Sequence, residues 1–426
     1  MRLSDRTHRL ALEALGVVLF VASQGVLVSQ LFFASSAPEA DMEGAASAQL
    51  YWALVAMLQL GGVILAWRLA RRSDGRVRAP VRLNSVLAIT VLVSLLCAGS
   101  SLWSIDPGVT ARRSFALASN LLFAVFVMRA VGIARTERLM LLATALPVAA
   151  SVVGYLLGFD WARMENAYLG AARGIYVQKN VFGMYAWISL LFSCHVRFHR
   201  RWVSFAAILS SSIAIVISQS ATSVLAVCFA LGIYAAMRCV SRLSPAGRAM
   251  ILGVLLISMG TVSLVAYGRM ESVAAMFGRD LTFTGRTDIW SYVVDAIKER
   301  PVLGYGYGAF WRADGFASYF VANRFGFFVS HAHSSMLDAS LDLGVPFSVL
   351  VSLMLVMGFM GVGKRLLVGR NVRSQALWSA LLIGLGITSL SEPVWLVHTA
   401  LATPLFWIAV AFSKTMPADT GGSLGV

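Results

Sequence analysis

Apolar runs of roughly 15–22 residues, separated by short polar connectors, recur along almost the whole chain. Each is long enough to cross the hydrocarbon of a bilayer as an α-helix. Lipid offers no partner to a bare N–H or C=O, so runs of this length demand helices; a barrel would show short alternating strands instead. The 426 residues are 58% hydrophobic and only 13% charged, too little polar surface to clothe a soluble globule. The expected fold class is therefore an all-α polytopic membrane protein with about 12 transmembrane helices. The spans are read at 11–32, 50–67, 84–103, 114–132, 139–158, 181–196, 202–217, 222–238, 249–267, 345–363, 375–391 and 394–413.

Arginine sets the expected topology. Of the 35 basic residues, 23 fall on the N-terminus, on the connectors after even-numbered spans and at the last span's end. Arg68, Arg71 and Arg72, then Arg197, Arg200 and Arg201, then Lys364, Arg365, Arg370 and Arg373 are examples. The first opposite connector, 33–49, carries Glu39, Asp41 and Glu43 and no Lys or Arg. The positive-inside rule then puts both termini in the cytoplasm. The formal charge of +15 follows from the same rule, so no nucleic-acid partner is expected. The stretch ASSAP at 34–38 resembles a signal cleavage site, but the apolar run before it is longer than a signal core. An uncleaved first span is expected. Cys97, Cys194, Cys228 and Cys239 show neither CxxC nor metal spacing and read as small core residues.

The remaining 12 basic residues lie on the outer side, against the general bias. Among them are Arg173 and Lys179 in the loop 159–180, and Arg286 in the long polar island 269–334. Charges kept against the topogenic rule suit an anionic ligand. Within the island, Thr287 can cap a helix DIWSYVVDAIKER that Pro301 stops, with Ile289, Trp290, Val293, Val294 and Ile297 on one face. Arg286 stands at its start, where free N–H groups favour an anion. The run LGYGYGAFW (303–311) carries glycines that forbid regular structure. Its Tyr305 and Tyr307 offer flat faces for a sugar or for the bilayer interface. A second short helix follows in HAHSSMLDASLDLG (331–344), with Gly344 as its C-cap and Pro346 opening the tenth span. His333, near that helix start, is the candidate base, because the dipole favours neutral imidazole. His331, two residues away, is expected to point elsewhere. Asp338 and Asp342, one turn apart, read as a solvated pair, with a metal site as the rarer option. Asn180 can cap the sixth span and Lys179 can snorkel.

These stretches resemble the O-antigen ligase and polymerase superfamily of bacterial envelope glycosyltransferases. The resemblance is carried by ARGIYVQKNVFGMYAW (172–187), SQSATSVLA (218–226), TGRTDIW (284–290), RPVLGYGYGAFW (300–311), HAHSSMLDASLDLG (331–344) and SEPVW (391–395). The style of the KN and HAHSSMLD motifs is similar to the exopolysaccharide polymerases of that superfamily. Where the family carries Asn after the second His, this chain has Ser334.

The resemblance implies a multi-helix fold in the bacterial inner membrane with its active site facing the periplasm. The segments divide into helices one to nine over 1–268, a large catalytic loop over 269–344, helices ten to twelve over 345–413, and a disordered cytoplasmic tail over 414–426. The implied reaction moves a saccharide from undecaprenyl pyrophosphate to an acceptor sugar hydroxyl, without cofactor or metal and with inversion. Arg173 and Arg286, with Lys179 secondary, would hold the donor pyrophosphate, and His333 would take the acceptor proton. Supporting or acceptor-binding roles fall to Asn180, Asp288, Trp290, Tyr305, Tyr307, His331, Ser334 and Glu392. The expected partners are the lipid-linked donor, a saccharide acceptor and inner-membrane lipid, with a chain-length regulator or other envelope assembly proteins beside them. Polymerisation of repeat units is the leading expectation, ligation to lipid A core the alternative. A lipid-linked oligosaccharide transporter is the third reading; it would carry its ionisable residues at mid-bilayer, whereas these spans are nearly free of charge.

Overall fold

The computed structural model describes residues 3–24, 46–72, 81–164, 169–198, 200–268, 286–311, 329–369 and 373–414. Among them are fourteen α-helices, and the only strand-like pairing is a single bridge between Arg163 and Ala172. Twelve helices answer to the twelve apolar runs. They are α1 (Leu3–Ala22), α2 (Ala46–Arg72), α3 (Val81–Gly99), α4 (Pro107–Val131), α5 (Ile133–Leu156), α6 (Lys179–His195), α7 (Arg201–Ser218), α8 (Ala221–Cys239), α9 (Pro245–Gly268), α12 (Val345–Val368), α13 (Arg373–Thr388) and α14 (Ala402–Lys414). Between α9 and α12 lie the two short helices of the polar island, α10 (Arg286–Glu299) and α11 (Ser335–Leu343). Seven of the described helices are long and apolar enough to cross a membrane, and shorter apolar helices join them. The protein is an all-α multi-pass membrane protein.

The shortest of the twelve span helices are the innermost. α6, α13 and α14 bury almost every side chain, with Trp187, Trp378 and Trp407 sealed among them. α8 packs on α13, α7 on α6, and α14 on α13 and α12. The outer helices keep one apolar face turned out, as at Leu54 and Met57 on α2, Leu95 on α3, Ile257 on α9 and Met360 on α12. Because both faces of such a helix are apolar, hydropathy cannot say which side is core. The cysteines show the consequence: Cys97 is buried as expected, but Cys194, Cys228 and Cys239 are exposed on the helix surface.

The last span differs from its sequence reading. Residues 389–401 are irregular, and helix resumes only at Ala402. Val394, Trp395, Leu396 and Leu401 are as buried as any helix core, which is why the run reads as membrane-spanning. Its backbone is satisfied by side chains of neighbouring segments. Tyr307 Oη donates to Leu396 O, Asn120 Nδ2 to Ala400 O at 3.0 Å, Thr403 Oγ1 to Val394 O at 2.8 Å and Trp407 Nε1 to Trp395 O at 2.8 Å. Irregular backbone within a bundle survives only where protein or a cavity supplies such partners.

The island folds as a small second core. Ile289, Val293 and Ala296 of α10 pack with Tyr305, Phe310, Trp311, Ala332 and Leu341. Val294, expected on the same face, turns out to the exterior. The helix also begins at Arg286, a residue before the expected Thr287 cap. Gly304, Gly306 and Gly308 all take positive φ, so the run between the helices is irregular as expected. Gly344 caps α11 and Pro346 sits in the first turn of α12, also as the sequence implies. The ASSAP stretch, the tail 415–426 and the island segments 269–285 and 312–328 lie outside the described residues.

Candidate functional site

One end of the bundle gathers the start of α6, the turn after α7, the irregular segment 389–401, the glycine run and the start of α11. The opposite end holds the basic connectors: Arg373 donates to His195 O, and Arg248 Nη1 to Val368 O at 2.9 Å. His195 is buried there against Glu137 at 3.0 Å, away from the island.

His333 has φ +51, a conformation uncommon for a residue with a Cβ. This turn folds the two histidines together, with ring centroids 4.1 Å apart and His333 N donating to His331 Nδ1 at 3.2 Å. They were expected to diverge; the left-handed residue between the extended chain and α11 cancels that divergence. His333 Nδ1 stands 3.5 Å from Glu392 Oε2. Asn180 Nδ2 donates to Glu392 Oε1 at 2.8 Å, and Ser335 Oγ donates to Glu392 O at 2.9 Å. Glu392 is only 4% exposed, so a buried carboxylate fixed by an amide on one side meets an imidazole on the other. Ser334 is the N-cap of α11, and its side chain makes no capping bond. Trp290 Nε1 donates to Ala332 O at 2.8 Å and so pins the residue between the histidines.

The basic residues divide. Lys179 is 4% exposed and donates to Gln219 O at 3.0 Å, so it does not snorkel. That carbonyl belongs to a residue with φ +49 in the polar turn 218–222. Asn180 lies in the first turn of α6, where Gln178 is the N-cap, so its amide serves Glu392 instead of the helix end. Arg173 Nε donates to Trp161 O at 3.1 Å in the loop before α6. Arg286 and Asp288 lie on α10, but their side chains are outside the described residues, so the distance between the two expected guanidinium groups is not defined. Tyr305 and Tyr307 turn inward: Tyr305 Oη donates to Ala296 O at 2.9 Å, and Tyr307 is 1% exposed.

Beside the histidines lies a cavity of about 230 Å³, with Asn180, Tyr307, Trp311, His331, Asp338, Asp342 and Glu392 in its wall. Trp52, Arg113 and the 393–400 backbone segment close it. His331 reaches this wall, whereas His333 sits on Glu392. Sequence reasoning set Asp338 and Asp342 on a solvated face. Both instead point inward, because the glycine run and the second core cover that side of α11. Asp338 Oδ1 accepts from Ala332 N at 2.8 Å and Trp311 Nε1 at 3.0 Å, and Asp342 Oδ1 accepts from Gly308 N at 2.8 Å. Burial pushes the Asp338 carboxyl up to about 6 and the Asp342 carboxyl up to about 8, the latter raised further by its neighbour Asp338. His331, His333 and Glu392 each bring one ligand atom within 4.8 Å of the others, a set that could hold a cation.

The fold and this cluster define a multi-pass membrane protein with a carboxylate–imidazole pair at one end of its bundle. A protein-family model described as O-Antigen ligase matches residues 205–352, which include both histidines, α10 and α11. Arg173, Lys179, Asn180 and Glu392 fall outside that stretch. The chain is also 29% identical over 280 residues to the exopolysaccharide production protein ExoQ of Rhizobium meliloti (strain 1021). That alignment covers 62% of this chain and 62% of the length of the relative. Over these stretches the chain is similar to an O-antigen ligase family model and to an exopolysaccharide production protein.

Proposed function

We propose that the protein is a glycosyltransferase of the bacterial inner membrane, with both termini cytoplasmic. It transfers a saccharide from undecaprenyl pyrophosphate to an acceptor sugar hydroxyl at the periplasmic face, lengthening a polysaccharide repeat by repeat. The observation behind this reading is the chain Asn180–Glu392–His333, a carboxylate held by an amide and set against an imidazole. With Nδ1 facing Glu392, the ring has Nε2 left to receive a proton. The acceptor hydroxyl gives its proton to that nitrogen as its oxygen attacks the anomeric carbon. The carbon–oxygen bond to pyrophosphate breaks on the opposite face, and the leaving group keeps the electron pair. Attack in one displacement inverts the anomeric centre. Arg173, Arg286 and Lys179 supply positive charge to the departing pyrophosphate, Arg through its planar fork.

Purified protein in lipid nanodiscs, given a lipid-linked repeat unit, is expected to yield a ladder of longer lipid-linked chains. The description of the matched family favours a second acceptor, lipid A core. Adding that core to the same assay separates the two readings: a ladder marks polymerisation, a ligated core marks ligation. No transfer in either arm overturns the enzymatic reading.

A further inference from the structure

Among the described residues, the cavity beside the histidines brings more carboxyls than arginines and lysines to its wall. Among the described residues its wall holds the three carboxyls Asp338, Asp342 and Glu392 beside Arg113, His331 and His398. Among the described residues the one arginine in the wall is Arg113, which the loop engages, with Nη1 donating to Gly308 O at 2.5 Å and to Trp311 O at 3.2 Å. Arg173 and Lys179, two of the three cations proposed for the pyrophosphate, are not part of this wall. A polyanion placed here would meet buried carboxyls, at a steep desolvation cost.

Two further features point to a hydroxyl-rich occupant. Asp338 and Asp342 each use Oδ1 to hold the surrounding loop, which fixes both carboxyls in place and leaves Oδ2 over. Asp338 Oδ2 is buried and has no hydrogen-bond partner. Buried polar atoms are rarely left so, and one lining a cavity marks a place where a ligand donates. Trp52, Tyr307 and Trp311 bring aromatic rings to the same wall. At about 230 Å³ the cavity lies below the roughly 300–1,000 Å³ of drug-sized sites, a space for one ring and not an oligosaccharide.

We propose that this cavity is the acceptor subsite, taking the terminal ring of an uncharged sugar whose hydroxyls are received by Asp338 and Asp342. A sugar carboxylate is rejected there by the acidic wall. The word acceptor rests on the transferase reading above; the sugar-binding claim stands apart from it. His331, in the same wall and 4.1 Å from the ring of His333, links the subsite to the base.

The test is saturation-transfer NMR with the full-length protein in phospholipid nanodiscs free of sugar detergents. The ligands are the methyl glycosides of glucose, galactose, mannose and N-acetylglucosamine, with methyl glucuronide as the charged comparator. At least one uncharged glycoside is expected to bind, with methyl glucuronide weaker by tenfold or more, about the value of one lost hydrogen bond to a charged group. Measured near pH 9, where Asp338 and Asp342 are both ionised, Asp338→Asn and Asp342→Asn keep Oδ1 for the loop and turn the second atom from acceptor to donor. Each is expected to weaken binding by about tenfold with the far-UV circular dichroism unchanged. Glucuronide binding as tightly as the uncharged sugars overturns the proposal, as does the absence of binding by all four. Wild-type affinity in both Asn variants overturns it too. If either variant fails to fold, the comparison of ligands on the wild type still decides. Sugar binding without transfer from the lipid-linked donor keeps the subsite and removes the transferase reading; transfer without sugar binding does the reverse.

Discussion

His333, the proposed base, stands beside neighbours that its own sequence context does not reveal. Glu392, fixed by Asn180, orients the ring, so Glu392→Gln is expected to slow transfer and shift the pH profile while leaving donor binding intact. An unchanged profile would show that Glu392 only shapes the loop. Among the described residues, His331, His333 and Glu392 are the one group placed for metal chemistry, since their ligand atoms lie within 4.8 Å of one another. Transfer is expected to survive EDTA, with charge supplied by arginine; loss on chelation and rescue by one divalent metal would contradict this. Asp342 gives a stability prediction whose sign is fixed. Its folded carboxyl is raised from 3.8 to about 8, so between those values the folded chain holds a proton that the unfolded chain has lost. Stability is then highest below about pH 4, falls as pH rises, and levels off above about pH 8. Asp342→Asn removes this slope, so its melting temperature is expected to vary less across that window. Parallel curves for the two proteins would refute the burial argument. In the sequence, His333 stood out through its place at a helix start. The burial of Asp338 and Asp342 did not, because it depends on a glycine run some thirty residues earlier folding over α11.

At the scale of elements, helices were legible wherever an apolar run was continuous, and the errors lie where burial and helicity part company. Residues 394–401 are apolar enough to read as span, yet they are irregular and supported by Tyr307, Asn120, Thr403 and Trp407. No local signal beyond Pro393 announces this, since the partners come from α4, α14 and the island. The glycine run was legible as irregular, but the reason lies in packing. A Cβ on Gly304, which has φ +67, would stand 2.5 Å from Leu341 O, a backbone atom of α11 that has little room to yield. Gly304→Ala is expected to destabilise the island by about 1–3 kcal/mol and to lower sugar binding with it. An unchanged melting temperature would show that the loop can refold around the methyl.

For the whole molecule, the arginine pattern implies that the site end faces the periplasm and the basic end the cytoplasm. α6 runs between the two ends from Asn180 to His195, and α13 from Arg373 to Thr388. Single cysteines placed at Val302 and at Arg242 are expected to react with a membrane-impermeant reagent from opposite sides, Val302 from outside. Reaction of Val302 from the cytoplasm would put the donor charges in the wrong compartment. The account centres on a base and its carboxylate acting on an acceptor hydroxyl at that outer end. Its most direct test is single-turnover transfer from a saturating lipid-linked donor by the wild type and His333→Ala. The variant is expected to retain donor binding and to lose on the order of 10²–10⁴ in rate; a rate equal to the wild type would contradict the assignment.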